Sequence, residues 1–281
     1  MFPPGLPCPE TMKEDQRIDL SLRFDRLVQS VADLETLADA FSLPELKDGE
    51  RIHLSSIPTA AEIRRRTGNT VIPTITLRDS NRQSLMGQIS FCLFSGIENI
   101  QVVRGDAYDS GSPRHPRNVY DYSKVSDFVA SIRRLESHLT NAPKICVLAP
   151  INLSKLSNNH YVRTIKDRER SGVDIFVTES NFEDTESYIT RVQKARDLGV
   201  NATMIHSVFP LRDYDDAISC VRKFGWKVPE DELHGLKAKG TQFGIETARQ
   251  RYFGLVDRKE ITQGASISTR GNPELVRQII S

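Results

Sequence analysis

Apolar residues recur along the chain with two periods that take turns. Between Leu20 and Leu43, Leu22, Phe24, Leu27, Val28, Val31, Leu34, Leu37 and Phe41 recur mostly at steps of three and four. That spacing predicts one amphipathic helix or two in succession. Arg51–Ile57 reads as a short strand, and 59–67 as a helix with Thr59 as N-cap and Gly68 as its stop. Val71–Leu77 is the next strand, and Ser80 or Asn81 caps a helix running to Phe94. Ile100, Val102 and Val103 give residues 98–103 the β-branched character of a buried strand. Helices follow over 123–139, 161–170, 185–198 and 213–224, and over 230–253 with a break at Gly240. Strands are expected at 144–149, 174–178, 201–206 and 264–268, and a last helix at 273–280.

Strands alternate with helices, and glycines punctuate the helix ends. That pattern predicts a parallel sheet in an α/β fold. About seven strands follow residue 50. With 281 residues, closure into a single (β/α)8 TIM barrel domain over 1–281 fits the length better than an open sheet. The eighth strand must then come from the first 25 residues. Residues 1–20 read as irregular, because Pro3, Pro4, Pro7 and Pro9 disfavour a helix or a central strand.

Composition narrows the function classes. The 38 basic and 37 acidic residues nearly cancel, so there is no general electrostatic case for nucleic acid or a membrane surface. Cys8, Cys92, Cys146 and Cys220 are far apart, which argues against a structural zinc or a disulfide framework. No apolar run approaches the roughly 20 residues of a membrane span, and the N-terminus is no signal peptide. The expected location is the cytoplasm.

In a parallel α/β fold, ligands gather at the carboxyl ends of the strands. Those ends carry Arg78 and Asp79, Arg104 to Asp106, Ala149 to Asn152, Glu179 to Asn181, His206 to Phe209, and Thr269 with Arg270. Each residue alone has a plain reading: a capping Asp, a salt-bridged Glu, a satisfied core His. Arg168, near a helix end, reads by default as a solvated surface charge. Together the strand ends predict a pocket with polar anchors. No dinucleotide fingerprint, Walker loop or His-Glu-x-x-His occurs, so no metal site is expected.

The chain resembles the methylenetetrahydrofolate reductase family, flavin-binding (β/α)8 barrels, from about Ala60 to Arg270. Three segments carry the likeness. The first is Arg66-Thr67-Gly68 with Pro73 and the strand to Leu77. The second, the most specific, is Gly96-Ile97-Glu98-Asn99-Ile100 through Arg104-Gly105-Asp106. The third runs from Gly172-Val173-Asp174 through Thr178-Glu179, Phe182, Ser187-Tyr188 and Gly199-Val200 to Phe209-Pro210.

The resemblance implies FAD as cofactor and NAD(P)H as co-substrate. Asp106 matches the family Asp beside the pyrimidine edge of the flavin, where its charge tunes hydride transfer. Arg104 and Gly105 match the flavin-contacting loop. Arg168 matches a Lys that contacts flavin phosphate, keeping the charge but changing the hydrogen-bond fork. Glu179 falls on a Gln that contacts the pterin, and Arg270 on an Arg near the folate end. Asp79 is a further expected substrate contact.

The departures are as informative. Phe2-Pro3-Pro4 is similar to the family's Phe-Pro-Pro motif, but the proton-donating Glu before that motif has no counterpart here. Thr74 stands for a family His, and Ala149-Pro150-Ile151-Asn152-Leu153 for Tyr-Pro-Glu-x-His. The expected activity is interconversion of 5,10-methylene- and 5-methyl-tetrahydrofolate by flavin-mediated hydride transfer in a homo-oligomer. Glu179 is the expected proton donor and Asp79 its reserve. The alternatives are a folate-binding barrel acting in methyl transfer or demethylation, and a non-catalytic reductase-like subunit.

Overall fold

The computed structural model describes residues 5–7, 20–45, 51–105, 120–141, 143–179, 182, 184–258, 263–269 and 271–281. Asp106 and Arg270, both expected site residues, lie outside them, as does Phe2-Pro3-Pro4. The chain divides into two compact units, Met1–Ala149 with Arg170–Val173, and Pro150–Glu169 with Asp174–Ser281.

The first unit contains β1 (Gly5–Pro7), α1 (Leu20–Ala32), β2 (Phe41–Leu43), β3 (Arg51–His53), α2 (Ser56–Thr67), β4 (Val71–Thr76), α3 (Arg82–Phe94), β5 (Asn99–Val103) and α4 (Val125–His138). It also holds the first four residues of β6 (Cys146–Ile151). β2 pairs with β4, β4 with β5 and β5 with β6, all parallel. Gly68 ends α2 as expected, at φ 76, donating its N–H to the Arg64 carbonyl at 2.8 Å. Asn81, rather than Ser80, caps α3 by accepting from the Ser84 N–H at 2.8 Å. Ile63, Ile75, Leu85, Ile89, Ile100, Phe128 and Ile132 are fully buried between helices and strands. Each such side chain contributes about 1.5–3 kcal/mol by leaving water.

Two expectations fail in this unit. The helical reading of 20–43 holds only to Ala32; Phe41-Ser42-Leu43 is β2, with Phe41 and Leu43 buried and Ser42 exposed. A three-residue alternation imitates the end of a helical stripe, and pairing with β4 decides between them. Arg51–Ile57 is a strand only to His53, and α2 begins at Ser56 with Ser55 as N-cap. The Ser56 N–H donates to Glu45 at 2.6 Å, a partner supplied from outside the helix. The eighth parallel strand is expected within the first 25 residues, of which 1–4 and 8–19 lie outside the described ones; β1 is not that strand. It pairs antiparallel with β3 in a separate two-stranded sheet, Gly5 opposite His53 and Pro7 opposite Arg51.

The second unit contains a single 3-10 turn at Leu153–Lys155, all but the last residue of α5 (Asn159–Arg170), β7 (Ile175–Thr178), α6 (Thr185–Asp197), β8 (Thr203–Val208), α7 (Tyr214–Phe224), α8 (Glu230–Lys239), α9 (Thr241–Val256), β9 (Ala265–Ile267) and α10 (Glu274–Ile280). β7 pairs with β8 and β8 with β9, again parallel. Asp184 and Asp213 cap α6 and α7 by accepting from the N–H three residues on. The expected break at Gly240 separates α8 from α9 at φ 58. Val208, Ile245, Ala248, Leu275 and Ile279 form one core of this unit. The fold is α/β, with seven parallel strands among the described residues. No helix among those residues is long and apolar enough to cross a membrane.

Candidate active site

The first unit presents the Arg-Gly-Asp strand end up to Gly105. β4 continues past Thr76 by two cross-strand bonds: Leu77 N–H to the Val103 carbonyl and Arg78 N–H to the Arg104 carbonyl, each 3.1 Å. This brings Arg78 and Asp79 beside Arg104 and Gly105. Arg78 is buried, and its Nε donates to Asp79 Oδ2 at 3.1 Å. Asp79 takes φ 59, a left-handed conformation that Asp tolerates better than most residues. Its carboxylate therefore neutralises a buried guanidinium within its own turn. Arg104 is exposed and lies over the Tyr120 ring, 4.8 Å from its centroid. The Tyr120 hydroxyl in turn donates to the Gly105 carbonyl at 3.3 Å.

The second unit presents Glu179. It follows β7 directly, and its N–H donates to the Ile151 carbonyl at 3.0 Å. Its exposed side chain accepts a hydrogen bond from the Asn152 side-chain amide. Asn152 is held from the other side, its backbone N–H donating to the Tyr161 hydroxyl at 2.6 Å. Arg168, two turns along α5 from Tyr161, donates from Nη1 to the Pro150 carbonyl at 2.7 Å. Arg168 is thus half-buried and tied to backbone, not the solvated surface charge that its helix-end position predicts. Burial lowers its pKa, opposed by the nearby Tyr161. Burial raises the pKa of the Tyr161 phenol, with the Asn152 bond and Arg168 opposing and Glu179 adding to the rise.

His206 does not belong to this group. β8 runs on to Val208, so His206 lies inside the strand, and its ring packs edge-on to Tyr188 of α6, centroids 4.3 Å apart. It is 2 % exposed, and neither ring nitrogen has a hydrogen-bond partner. Burial, helped by the charge of Arg251, pulls its pKa down to about 3. A His so placed is a neutral core group. Arg251 itself pairs with the buried Glu232 and donates to the Phe182 carbonyl at 3.0 Å.

Sequence position alone located the strand ends that carry Asp79, Arg104, Gly105 and Glu179. It named Asn152 only as one of the strand-end residues and did not single out Tyr161. The only signal was that Tyr161 and Arg168 lie seven residues apart on one helix face, next in the chain to a Pro-containing strand end.

The family model for methylenetetrahydrofolate reductase matches residues 25–248, most of the chain, and the chain belongs to that family. No curated protein matches it. Among solved structures, the chain is similar to the tetrameric deoxyribose phosphate aldolase of Aeropyrum pernix. The identity is 16% and the TM-score 0.40, over 78% of this chain and 80% of that one. A likeness of that degree bears on neither closure of the barrel nor activity.

Proposed function

We propose that this member of the methylenetetrahydrofolate reductase family is an oxidoreductase that interconverts 5,10-methylene- and 5-methyl-tetrahydrofolate, with FAD as cofactor and NAD(P)H as co-substrate. The family match over residues 25–248 carries the reading. The same reading takes residues 1–281 as a single (β/α)8 barrel domain, cytoplasmic and homo-oligomeric.

Two guanidiniums, each at its own family position, support an anionic, phosphate-bearing cofactor. Arg104 is an exposed guanidinium at the family's flavin-loop position. Arg168 is a guanidinium that burial disposes to bind an anion, since a partly desolvated cation gains most from an opposite charge. When bound, FAD supplies the two-electron carrier between nicotinamide and folate. Arg168 binds phosphate in this reading, Arg104 belongs to the flavin-contacting loop, and Asp106 tunes charge at the ring. Gly105 stays in the flavin-contacting loop in this reading, and it needs its glycine for contact with β4 as well, because a Cβ there would lie 2.5 Å from Thr76 Cγ2.

Opening the five-membered ring of the methylene form requires a proton at the pterin nitrogen. Glu179 is the acid assigned to it, standing at the family's pterin-contact position and held by Asn152. Asp79 is a weaker donor candidate, because its carboxylate is engaged by Arg78.

The test is the visible spectrum of the purified protein before and after adding FAD, with turnover of 5-methyl-tetrahydrofolate against an electron acceptor. Flavin absorbance and turnover support the reading. A colourless protein that FAD does not change, yet that binds folate, supports methyl transfer instead. The specific observation favouring that second reading is Ala149-Pro150-Ile151-Asn152-Leu153 in place of the family's Tyr-Pro-Glu-x-His. A protein that binds neither supports a non-catalytic subunit.

A further inference from the structure

Glu179 is exposed, yet it is tied at both ends to the last residue of β6 and the residue that follows it. Its N–H donates to the Ile151 carbonyl at 3.0 Å, and its carboxylate accepts from the Asn152 amide. Asn152 has no freedom to turn that amide away. Its Oδ1 already accepts from the Ser154 N–H at 2.9 Å and from the Ser154 hydroxyl at 2.6 Å. An amide oxygen holding two donors leaves the NH2 group facing the other side, so the orientation follows from the network. The backbone of Asn152 is fixed in turn. Its N–H donates to the Tyr161 hydroxyl at 2.6 Å, while Arg168 donates to the Pro150 carbonyl at 2.7 Å. Two residues on one face of α5 therefore clamp the strand end, and the strand end aims one amide at one carboxylate.

We propose that Asn152 is a positioning residue for Glu179, holding its carboxylate in the direction that a pterin ring needs, with Tyr161 and Arg168 as the clamp that holds Asn152. A long exposed carboxylate samples several rotamers, and fixing it on binding costs side-chain entropy. Asn152 removes that cost in advance, so it raises folate affinity and favours proton transfer. The inference rests on the folate reading for its consequence, but the bond itself is testable without folate.

The experiment uses the full chain and the variants Asn152→Ala, Asn152→Asp, Glu179→Ala and Asn152→Ala with Glu179→Ala. The side-chain NH2 signals of Asn152 are assigned in an amide NMR spectrum of the ligand-free protein by their loss in Asn152→Asp. They should shift in Glu179→Ala, a substitution at an exposed side chain that leaves the fold intact. Calorimetry with 5-methyl-tetrahydrofolate should show Asn152→Ala weakening binding about tenfold, with the double variant no weaker than Glu179→Ala alone. Unchanged Asn152 signals in Glu179→Ala overturn the proposal, and so does a double variant whose losses add. If the wild type binds no folate while the Asn152 signals still respond to Glu179→Ala, the folate reading falls and the positioning of Glu179 stands supported.

Discussion

A Cβ placed on Gly105 would lie 2.5 Å from Thr76 Cγ2 and 3.0 Å from Arg78 Cβ. The end of β5 therefore closes onto the end of β4 at a distance that only glycine permits. Gly105 also takes φ 86, where a side chain is strained whatever the space around it. The turn that delivers Arg104 thus depends on two independent demands for the same residue.

Gly105→Ala should destabilise the protein by about 2 kcal/mol or more, from overlap and backbone strain together. Urea unfolding measures it. A midpoint equal to the wild type would show that the β4–β5 ends relax at no cost.

His206 makes stability depend on pH. Its folded pKa of about 3 lies below the ordinary 6.5, so between those values the unfolded chain binds more protons than the folded one. Stability is then fully present above about pH 6.5 and is lost as pH falls toward 3, by up to about 1.4 kcal/mol per pH unit from this group. His206→Leu, which fills the site without a titrating ring, should flatten that slope. A slope unchanged in His206→Leu would assign the acid sensitivity to other groups.

Arg251 and Glu232 form an ion pair whose side chains are 15% and 4% exposed. Removing one partner by Glu232→Leu should cost about 3–5 kcal/mol, since it leaves a buried guanidinium uncompensated. Replacing both, with Arg251→Met added, should recover most of the loss. Thermal melts of the three proteins decide it. A Glu232→Leu melt close to wild type would mean that water reaches Arg251.

For turnover, Glu179→Gln keeps the shape, restores the family residue and removes the acid. Reduction of the methylene form should fall by about 10²–10⁴-fold, and the alkaline limb that a general acid imposes should disappear from the pH profile. Full activity with an unchanged profile would remove Glu179 as donor.

Asp106→Asn should change the potential of bound flavin while leaving the melting temperature near wild type, because the charge is what the flavin reading assigns to Asp106. Potentiometric titration of the FAD-loaded protein reads the difference. An unchanged potential would take Asp106 out of the flavin site.

Local features of the chain were legible without a fold. Gly68 and Gly240 marked helix ends because a residue at positive φ there favours glycine, and Asn81 marked a helix start because a short polar side chain satisfies orphan N–H groups. β5 was legible from its β-branched residues, and the Arg-Gly-Asp segment carried the family likeness. These signals act within a few residues, so composition and spacing record them. The partners of Phe41–Leu43 and Gly5–Pro7 lay outside that reach. A three-residue segment has too few positions to show a period, and strand pairing 30 or more residues away decided that one joins β4 in parallel and the other β3 in antiparallel. The same holds at the sites. That Asn152 faces Glu179, that Arg168 turns inward to Pro150, and that His206 lies under Tyr188 with Arg251 near are contacts across 18 to 45 residues of chain. Sequence spacing determined which residues stand at strand ends; burial and hydrogen bonding between distant segments decided which of them carry a charge into a site and which are spent on the core.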